Sequence, residues 1–522
     1  MSGSADHDLI DSGELHAVQG FWDLITRRAE SSGDRPILFD ERDHSLTFAE
    51  FRDQAERVAA ALHAQGIGRD TRVAWQLPTR ISTALVMAAL ARLGAVQAPI
   101  IPIYREREVS SAVASSAAEV ILVPGIWRGT DYVAMAEGLP WSPRILTIGV
   151  DAPASPDVSS LPPVTGVAKE VRWIYFTSGS SGLPKGVRHT DRSLLAAARG
   201  FATQGQLGHV ADEVGSIPFP IAHVGGVVYL MSMLSAGFPS VLLEAFDPAT
   251  AVPLWRKHKV TFTGGSTVFY NALLSEQRKL PDGESLVPSL RLLKGGGAPC
   301  PPSVYTGVRD EMRVTVAHDY GMTEAPMICV AAPDDSDEQL ANTEGKPVPG
   351  LRVRVVDDTG RSVVGRDGEI QLEGDTLFAG YTDPAQTAEA FTADGWFRTG
   401  DLGHVRADGH VEVTGRLKDV IIRKGENIGP VEVESLIAGH AAIAEVAVIG
   451  LPDEERGERV CAVVTLRPGA AAPELAELAG YLRQAGLMAQ KVPEQLEVLD
   501  ELPKTGIGKL DKKAIRRTIS SD

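Results

Sequence analysis

Trp173-Ile174-Tyr175-Phe176-Thr177-Ser178-Gly179-Ser180-Ser181-Gly182-Leu183-Pro184-Lys185-Gly186 joins an apolar run to a loop of hydroxyl side chains and glycines. The run reads as a strand that opens into a turn. Backbone N–H groups exposed by the glycines, the hydroxyl donors and the Lys185 ammonium can all face the same oxyanions, which is the make-up of a phosphate cradle. It is not a Walker A loop, because Pro184 stands five positions after Gly179 and no Gly-Lys-Ser/Thr follows. Taken alone, the loop is equally a plain turn between a strand and a helix.

On the N-terminal side of this loop, Thr47-Phe-Ala-Glu50 has the form of a capping box. Phe51, Ala55, Val58, Ala59 and Leu62 then share one helical face, which Gly66 ends. Arg72–Leu77, Ala95–Ile101, Val120–Val123 and Arg144–Ile148 read as strands around a buried helix at Ile81–Leu93. Beyond the loop, Val241–Leu243, Val260–Phe262 and Leu290–Leu293 continue the rhythm of strands and helices, which predicts a largely parallel α/β architecture. From about Gly350 the texture changes to alternating strands at Leu351–Val356, Glu369–Leu372 and His410–Val413, an antiparallel β subdomain. After Arg416 strands at Glu445–Ile449 and Arg459–Leu466 and a helix carrying Leu475, Leu478, Ala479 and Leu482 form a compact α+β unit. The division falls as an N-terminal domain over 1–417, its β-rich part at about 350–417, and a C-terminal domain over 418–522.

A chain of 522 residues with 43% hydrophobic and 23% charged residues has the composition of a globular protein of several domains. Its net charge of −17 disfavours nucleic acid or an anionic membrane surface as the main partner. The three cysteines, Cys300, Cys329 and Cys461, are scattered, which fits a reducing compartment and gives neither a disulfide framework nor a metal cluster. The N-terminus has no signal-peptide pattern, so a cytoplasmic location is expected. Ile221–Leu243 is apolar enough to weigh as a membrane span, but Gly225, Gly226, Gly237 and Pro239 divide it into a buried helix and a strand.

Five further stretches bear on the opening loop: Lys294-Gly-Gly-Gly-Ala-Pro299, Asp319-Tyr-Gly-Met-Thr-Glu324, Gly395-Trp-Phe-Arg-Thr-Gly-Asp401, Gly415-Arg-Leu-Lys-Asp419 with Gly425-Glu-Asn427, and Pro503-Lys-Thr-Gly-Ile-Gly-Lys509. As an ordered set they resemble the adenylate-forming superfamily of acyl-CoA synthetases, nonribosomal peptide adenylation domains and luciferases, over roughly residues 45 to 515. The resemblance implies a large N-terminal domain of two parallel-rich sheets with helices plus the antiparallel β subdomain, and a small mobile α+β C-terminal domain. It also implies ATP, Mg²⁺ and coenzyme A as cofactors.

A carboxylate meeting a triphosphate must be shielded by cations, oriented donors and Mg²⁺. By resemblance, Thr177, Ser178, Gly179, Ser180, Ser181, Gly182 and Lys185 clamp the outer phosphates. Tyr320 lies against adenine within Asp319-Tyr320-Gly321-Met322, Thr323 meets phosphate, and Glu324, with Thr177, holds Mg²⁺. Gly296, Gly297, Ala298 and Pro299 let backbone approach adenine and the acyl group. Gly295 replaces the Ser more usual in the family, which is expected to leave room in the acyl pocket. Asp401 and Arg416 hold the ribose hydroxyls, and Lys418 is the hinge. Lys509 carries the decisive ammonium, bridging carboxylate and α-phosphate. His223 stands where acyl-CoA synthetases have a gate between the acyl site and the thiol tunnel, which Gly425 borders. A lone His among apolar residues is otherwise a core residue, and a Lys like Lys418 a solvated one.

The expected activity is therefore that of an acid:CoA ligase forming an acyl-adenylate and then a thioester. Adenylation alone, with transfer to a carrier protein, is a second reading, and a non-catalytic nucleotide-binding relative is a third. The segment around His223 lacks the Asp that amino-acid-activating members use. Pro99–Glu108 and Val187-Arg-His-Thr190 look closest to bacterial cyclohexanecarboxylate-type CoA ligases, so an alicyclic or polycyclic acid is favoured, with fatty and aryl acids as alternatives. The partners are then small molecules, with no membrane span, and the chain is a monomer or homodimer.

Overall fold

Thr47 and Glu50 close the capping box their spacing demands: Thr47 Oγ1 accepts the Glu50 N–H at 3.2 Å, and Glu50 Oε2 accepts the Thr47 N–H at 2.8 Å. The helix they start, Phe48–Ala64, buries Phe51, Ala55, Val58, Ala59 and Leu62. It packs on Ile81–Leu93, an almost wholly buried helix ended by Gly94 in the left-handed conformation at φ 68°. A further helix, Phe21–Ser32, which the sequence reading did not anticipate, docks against both. Its first amide is fixed from afar, since Phe21 N–H donates to the buried Asp191 Oδ2 at 2.8 Å. The computed structural model describes residues 18–141, 143–164, 168–178, 184–423, 426–453, 457–505 and 509–520.

The strands expected before the loop form a six-stranded sheet in the order Pro184–Thr190, Val171–Ser178, Val96–Pro99, Arg72–Trp75, Val120–Val123, Arg144–Thr147. All its pairings are parallel except the first. A five-stranded sheet runs Phe262–Thr263, Leu292–Gly296, Thr315–Met322, Ala325–Val330, Lys346–Pro347, parallel at its start and antiparallel at its end. Beyond these two, Gly215–Ile217, Ser240–Leu242, Pro36–Phe39 and Ser45–Thr47 build a third sheet, so distant short strands find partners that no local pattern announced. The segment Ile221–Leu243 becomes the buried helix Val224–Ala236 and the strand Ser240–Leu242. No described helix is long and apolar enough to cross a membrane.

Leu351–Val356, Gly368–Gly374, Phe397–Val405 and Val411–Arg416 form the antiparallel four-stranded sheet. After the turn Leu417–Asp419, a separate sheet is centred on Ile443–Asp453 and Gly457–Leu466. Alternation along Ile443–Asp453 sends Val446 and Val448 to one core and Ala447, Ile449 and Leu451 to another. The second core is closed by Ile515 of the basic helix Lys512–Ser520. That helix is thus half a packing element, with Arg516 Nε donating to Gly450 O at 2.9 Å.

Beneath the five-stranded sheet, Lys294 Nζ donates to Asp319 Oδ1 at 2.9 Å and to Ala331 O at 2.8 Å. Both side chains of this ion pair are sealed from solvent. Burial raises the Asp319 carboxyl and lowers the Lys294 ammonium, and each partner opposes the shift of the other. Removing one partner of such a pair strands the other charge, so Lys294→Ala should lower the unfolding free energy by about 3–5 kcal/mol. Urea denaturation followed by circular dichroism measures it. A loss below about 1 kcal/mol, the range of an exposed pair, would contradict a sealed ion pair.

Candidate functional site

The opening stretch is the inner half of a β-hairpin. Val171–Ser178 pairs antiparallel with Pro184–Thr190, placing Lys185 opposite Thr177. The second arm is a strand rather than the helix expected of a strand-helix turn, because Val187 and His189 alternate into the core and its outer edge is covered. There Arg188 N–H donates to Gly380 O at 3.0 Å, and Thr382 N–H to Gly186 O at 2.8 Å. A Cβ at Gly186 would stand 2.7 Å from Ser115 Oγ and from Thr382. Gly179, Ser180, Ser181 and Gly182, with the Ser178 side chain, lie outside the described residues, as does Gly425.

The edge segment delivers a residue that the sequence reading missed. Tyr381 OH donates to Glu324 Oε1 at 2.7 Å, and its ring lies 5.3 Å from Lys185 Nζ. Glu324 and Thr323 turn the hairpin between Thr315–Met322 and Ala325–Val330, with Met322 opposite Ala325. Burial raises the Glu324 carboxyl, opposed by Tyr381 and by the charges of Lys185 and Arg416. From within the core, His189 Nε2 meets Thr323 O at 2.7 Å while its Nδ1 meets Ser193 Oγ at 2.9 Å. Burial drops the His189 pKa to about 4, so the ring is a neutral brace. A lone buried carboxylate such as Glu324 suits Mg²⁺, which keeps water ligands and needs few from protein. Among the described residues no group of three or more His, Cys, Asp or Glu forms a dedicated metal cage.

The strand Leu292–Gly296 ends in glycines for a steric reason. A Cβ on Gly296 would lie 1.9 Å from Asp319 O, and one on Gly295, at φ 154°, would lie 2.3 Å from Gly265 O. The room expected at Gly295 is therefore not pocket space; the Gly265 backbone fills it. Gly297 is exposed, and Lys509 Nζ stands 3.6 Å from where its Cβ would be. Lys509 is exposed as a residue, yet its ammonium loses water here, is repelled by Arg416 and Lys418 and attracted by Asp401, and its pKa falls to about 8. Its charge also reaches His223, whose pKa burial drops to about 4. His223 caps the helix Val224–Ala236, with Nδ1 accepting the Gly225 N–H at 3.1 Å. With Thr323, Tyr175 and Phe176 it lines a recess of about 10 Å³.

Asp401 is 2% exposed. Tyr320 OH donates to its Oδ2 at 2.5 Å and Arg416 Nε to its Oδ1 at 2.9 Å. The Tyr320 ring packs in the core shared with the antiparallel sheet. Asp319 directs its side chain away to Lys294, so only its backbone is left for the cleft. Ala298 and Pro299 follow Gly297 along the cleft wall, and Gly321 packs a would-be Cβ 2.2 Å from Pro326 O, which holds the hairpin closed. Lys418 is exposed in the turn between the two domains. The structure thus links Lys185 and Glu324 through Tyr381, sets His223 and Thr323 on one recess, and brings Lys509 to Gly297 beside Asp401 and Arg416 with Tyr320. Tyr381 had no periodic or motif signal, and His189 and Lys294, though inside quoted stretches, were given no role there, because each acts across a non-local contact.

Family models match in two blocks: the AMP-binding enzyme over residues 25–382 and the AMP-binding enzyme C-terminal domain over residues 432–509. The chain is 30% identical to a medium-chain fatty-acid–CoA ligase of Escherichia coli (strain K12), covering 96% of this chain and 92% of the relative. It is 32% identical to a 2,3-dihydroxybenzoate-AMP ligase of Bacillus subtilis (strain 168), covering 97% and 94%. The crystal structure of ATP-bound MatB from Rhodopseudomonas palustris superposes with a TM-score of 0.84 at 27% identity, over 95% of this chain and 98% of that one.

The Lys509 environment is measurable without any substrate. Competitive acetylation across a pH series, read peptide by peptide by mass spectrometry, should give Lys509 a midpoint near 8, well below the ordinary lysine value of 10.5. A midpoint at the ordinary value would place its ammonium outside the cleft.

Proposed function

The chain belongs to the AMP-binding enzyme family of adenylate-forming ligases, and from that premise we propose that it is an acid:CoA ligase acting in two steps in one cleft. In the first step a carboxylate oxygen attacks the α-phosphorus of ATP and the bond to the β-phosphate breaks, giving acyl-adenylate and pyrophosphate. In the second the CoA sulfur attacks the acyl carbon, its thiol proton is lost, and the bond to AMP breaks. The observation that carries this reading is Lys509, brought by the C-terminal domain to Gly297, beside His223 and the Asp401–Arg416 pair.

Charge decides the division of labour. Lys509 and Lys185 neutralise oxygens that would otherwise repel the incoming carboxylate, in a cleft where partial desolvation strengthens each interaction. Thr323 faces phosphate, its turn braced by His189, while Tyr381 fixes the Glu324 carboxylate. Glu324, with Thr177, would hold Mg²⁺, which supplies charge neutralisation to the phosphates when bound. Tyr320 meets the adenine face, and Asp401 with Arg416 the ribose hydroxyls. Asp401 retains acceptor capacity for this, since each carboxylate oxygen has more than one lone pair.

For the second step the C-terminal domain turns about the exposed Leu417–Asp419 segment at Lys418, withdrawing Lys509 and bringing Gly425 to the thiol path past His223. A neutral His223 suits a gate that must not repel or bind a phosphate. The acid is apolar and bulky, alicyclic or polycyclic. Supporting this, the helix Val224–Ala236, which His223 caps, is apolar and almost wholly buried. Adenylation with transfer to another acceptor is the second reading, favoured by similarity to a 2,3-dihydroxybenzoate-AMP ligase.

Pyrophosphate release with ATP and Mg²⁺ across alicyclic, polycyclic, medium-chain and aryl acids, each with and without CoA and with products weighed by mass, tests the proposal. The expected outcome is acid-dependent pyrophosphate release and a CoA thioester. Accumulated acyl-adenylate with CoA untouched would replace it by the second reading, and ATP binding without acid-dependent release would refute both.

A further inference from the structure

Glu344 is a half-buried acid with no ion-pair partner among the described residues. Its backbone N–H donates to Val411 O at 3.0 Å, and its Oε2 accepts the Val413 N–H at 2.9 Å. The other charged groups that act on it, Glu412 and Asp401, are acidic, and it forms no ion pair among the described residues. A partly desolvated carboxyl held beside two acidic neighbours is costly, and an uncharged side chain would avoid that cost. Its location gives the reason. Its charge reaches Asp401, Cys300 and Cys329, and Cys329 faces Tyr320 in the sheet register.

A second polar group shares the same wall. His318 is 4% exposed and its Nδ1 has no hydrogen-bond partner. Pro299, Cys300, His318, Glu344 and Val413 line one cleft of about 1330 Å³. Pro299 continues the glycine turn, and Tyr320 follows His318 by two residues, so this part of the wall adjoins the place where the nucleotide base lies if the site is adenylating.

We propose that Glu344 is a specificity residue that reads the amino edge of adenine, with His318 beside it. The inference rests on the adenylating reading of the site. Burial raises the Glu344 carboxyl to about 8, so near neutral pH it is an acid with one O–H donor and one acceptor oxygen. The Val413 N–H marks Oε2 as the acceptor, which gives the pair a direction. Adenine offers the matching order, an amino donor next to a ring-nitrogen acceptor. Guanine inverts it, and a purine without the 6-amino group leaves the acceptor unpaired.

The test compares ATP, purine riboside triphosphate and GTP in pyrophosphate release, with Kd by calorimetry, for the wild type, Glu344→Gln and Glu344→Val. In the wild type, loss of the 6-amino group should raise KM and Kd about tenfold to hundredfold. Glu344→Val should weaken ATP to the level of purine riboside triphosphate and so erase the difference, while Glu344→Gln keeps part of it. A wild type that treats the two triphosphates alike overturns the proposal, even if a variant fails to fold. So does a folded Glu344→Val that still discriminates. Those results would leave the adenylating reading standing, whereas a wild type that binds no ATP would sink both.

Discussion

A single buried carboxylate ties the cleft together. Asp401 takes the phenol of Tyr320 on one oxygen and the guanidinium of Arg416 on the other. Tyr320 belongs to the five-stranded sheet, Asp401 and Arg416 to neighbouring strands of the antiparallel sheet, and Arg416 is the last residue before the interdomain turn. Two sheets and the entry to the C-terminal domain are therefore registered against each other by charge-assisted hydrogen bonds, which are short and directional. The motifs can only act together because this contact fixes their relative position.

The cations obey a different constraint. Lys185 is held in a strand over Tyr381. Lys509 comes on the C-terminal domain and shares its surroundings with Arg416 and Lys418, whose repulsion helps lower its proton affinity. Of the carboxylates near these cations, Asp401 is already engaged by Arg416 and Tyr320, and a cluster of cations of this kind attracts a polyanion.

Much of this was legible in the chain because the signals were local. The Thr47–Glu50 cap, the buried helix Ile81–Leu93 and the division of Ile221–Leu243 into helix and strand follow from spacing and turn residues. The motif residues were legible as an ordered set. What escaped was non-local. No pattern says that residues 379–382 will cover the edge of Pro184–Thr190 and so carry Tyr381 to Glu324, or that Asp191 will anchor a helix from the N-terminus. Gly295 shows the same limit from the other side. A missing side chain looked like space, but a neighbouring backbone occupies it.

The central claim is that half of the adenylation centre resides on the C-terminal domain as Lys509. The most direct measurement separates the two half-reactions in Lys509→Ala, with pyrophosphate release for the first and AMP release from a supplied acyl-adenylate plus CoA for the second. The account predicts a loss of about 10²–10³ in the first, the scale of one removed transition-state cation or donor, with the second little changed. Equal loss in both would contradict it.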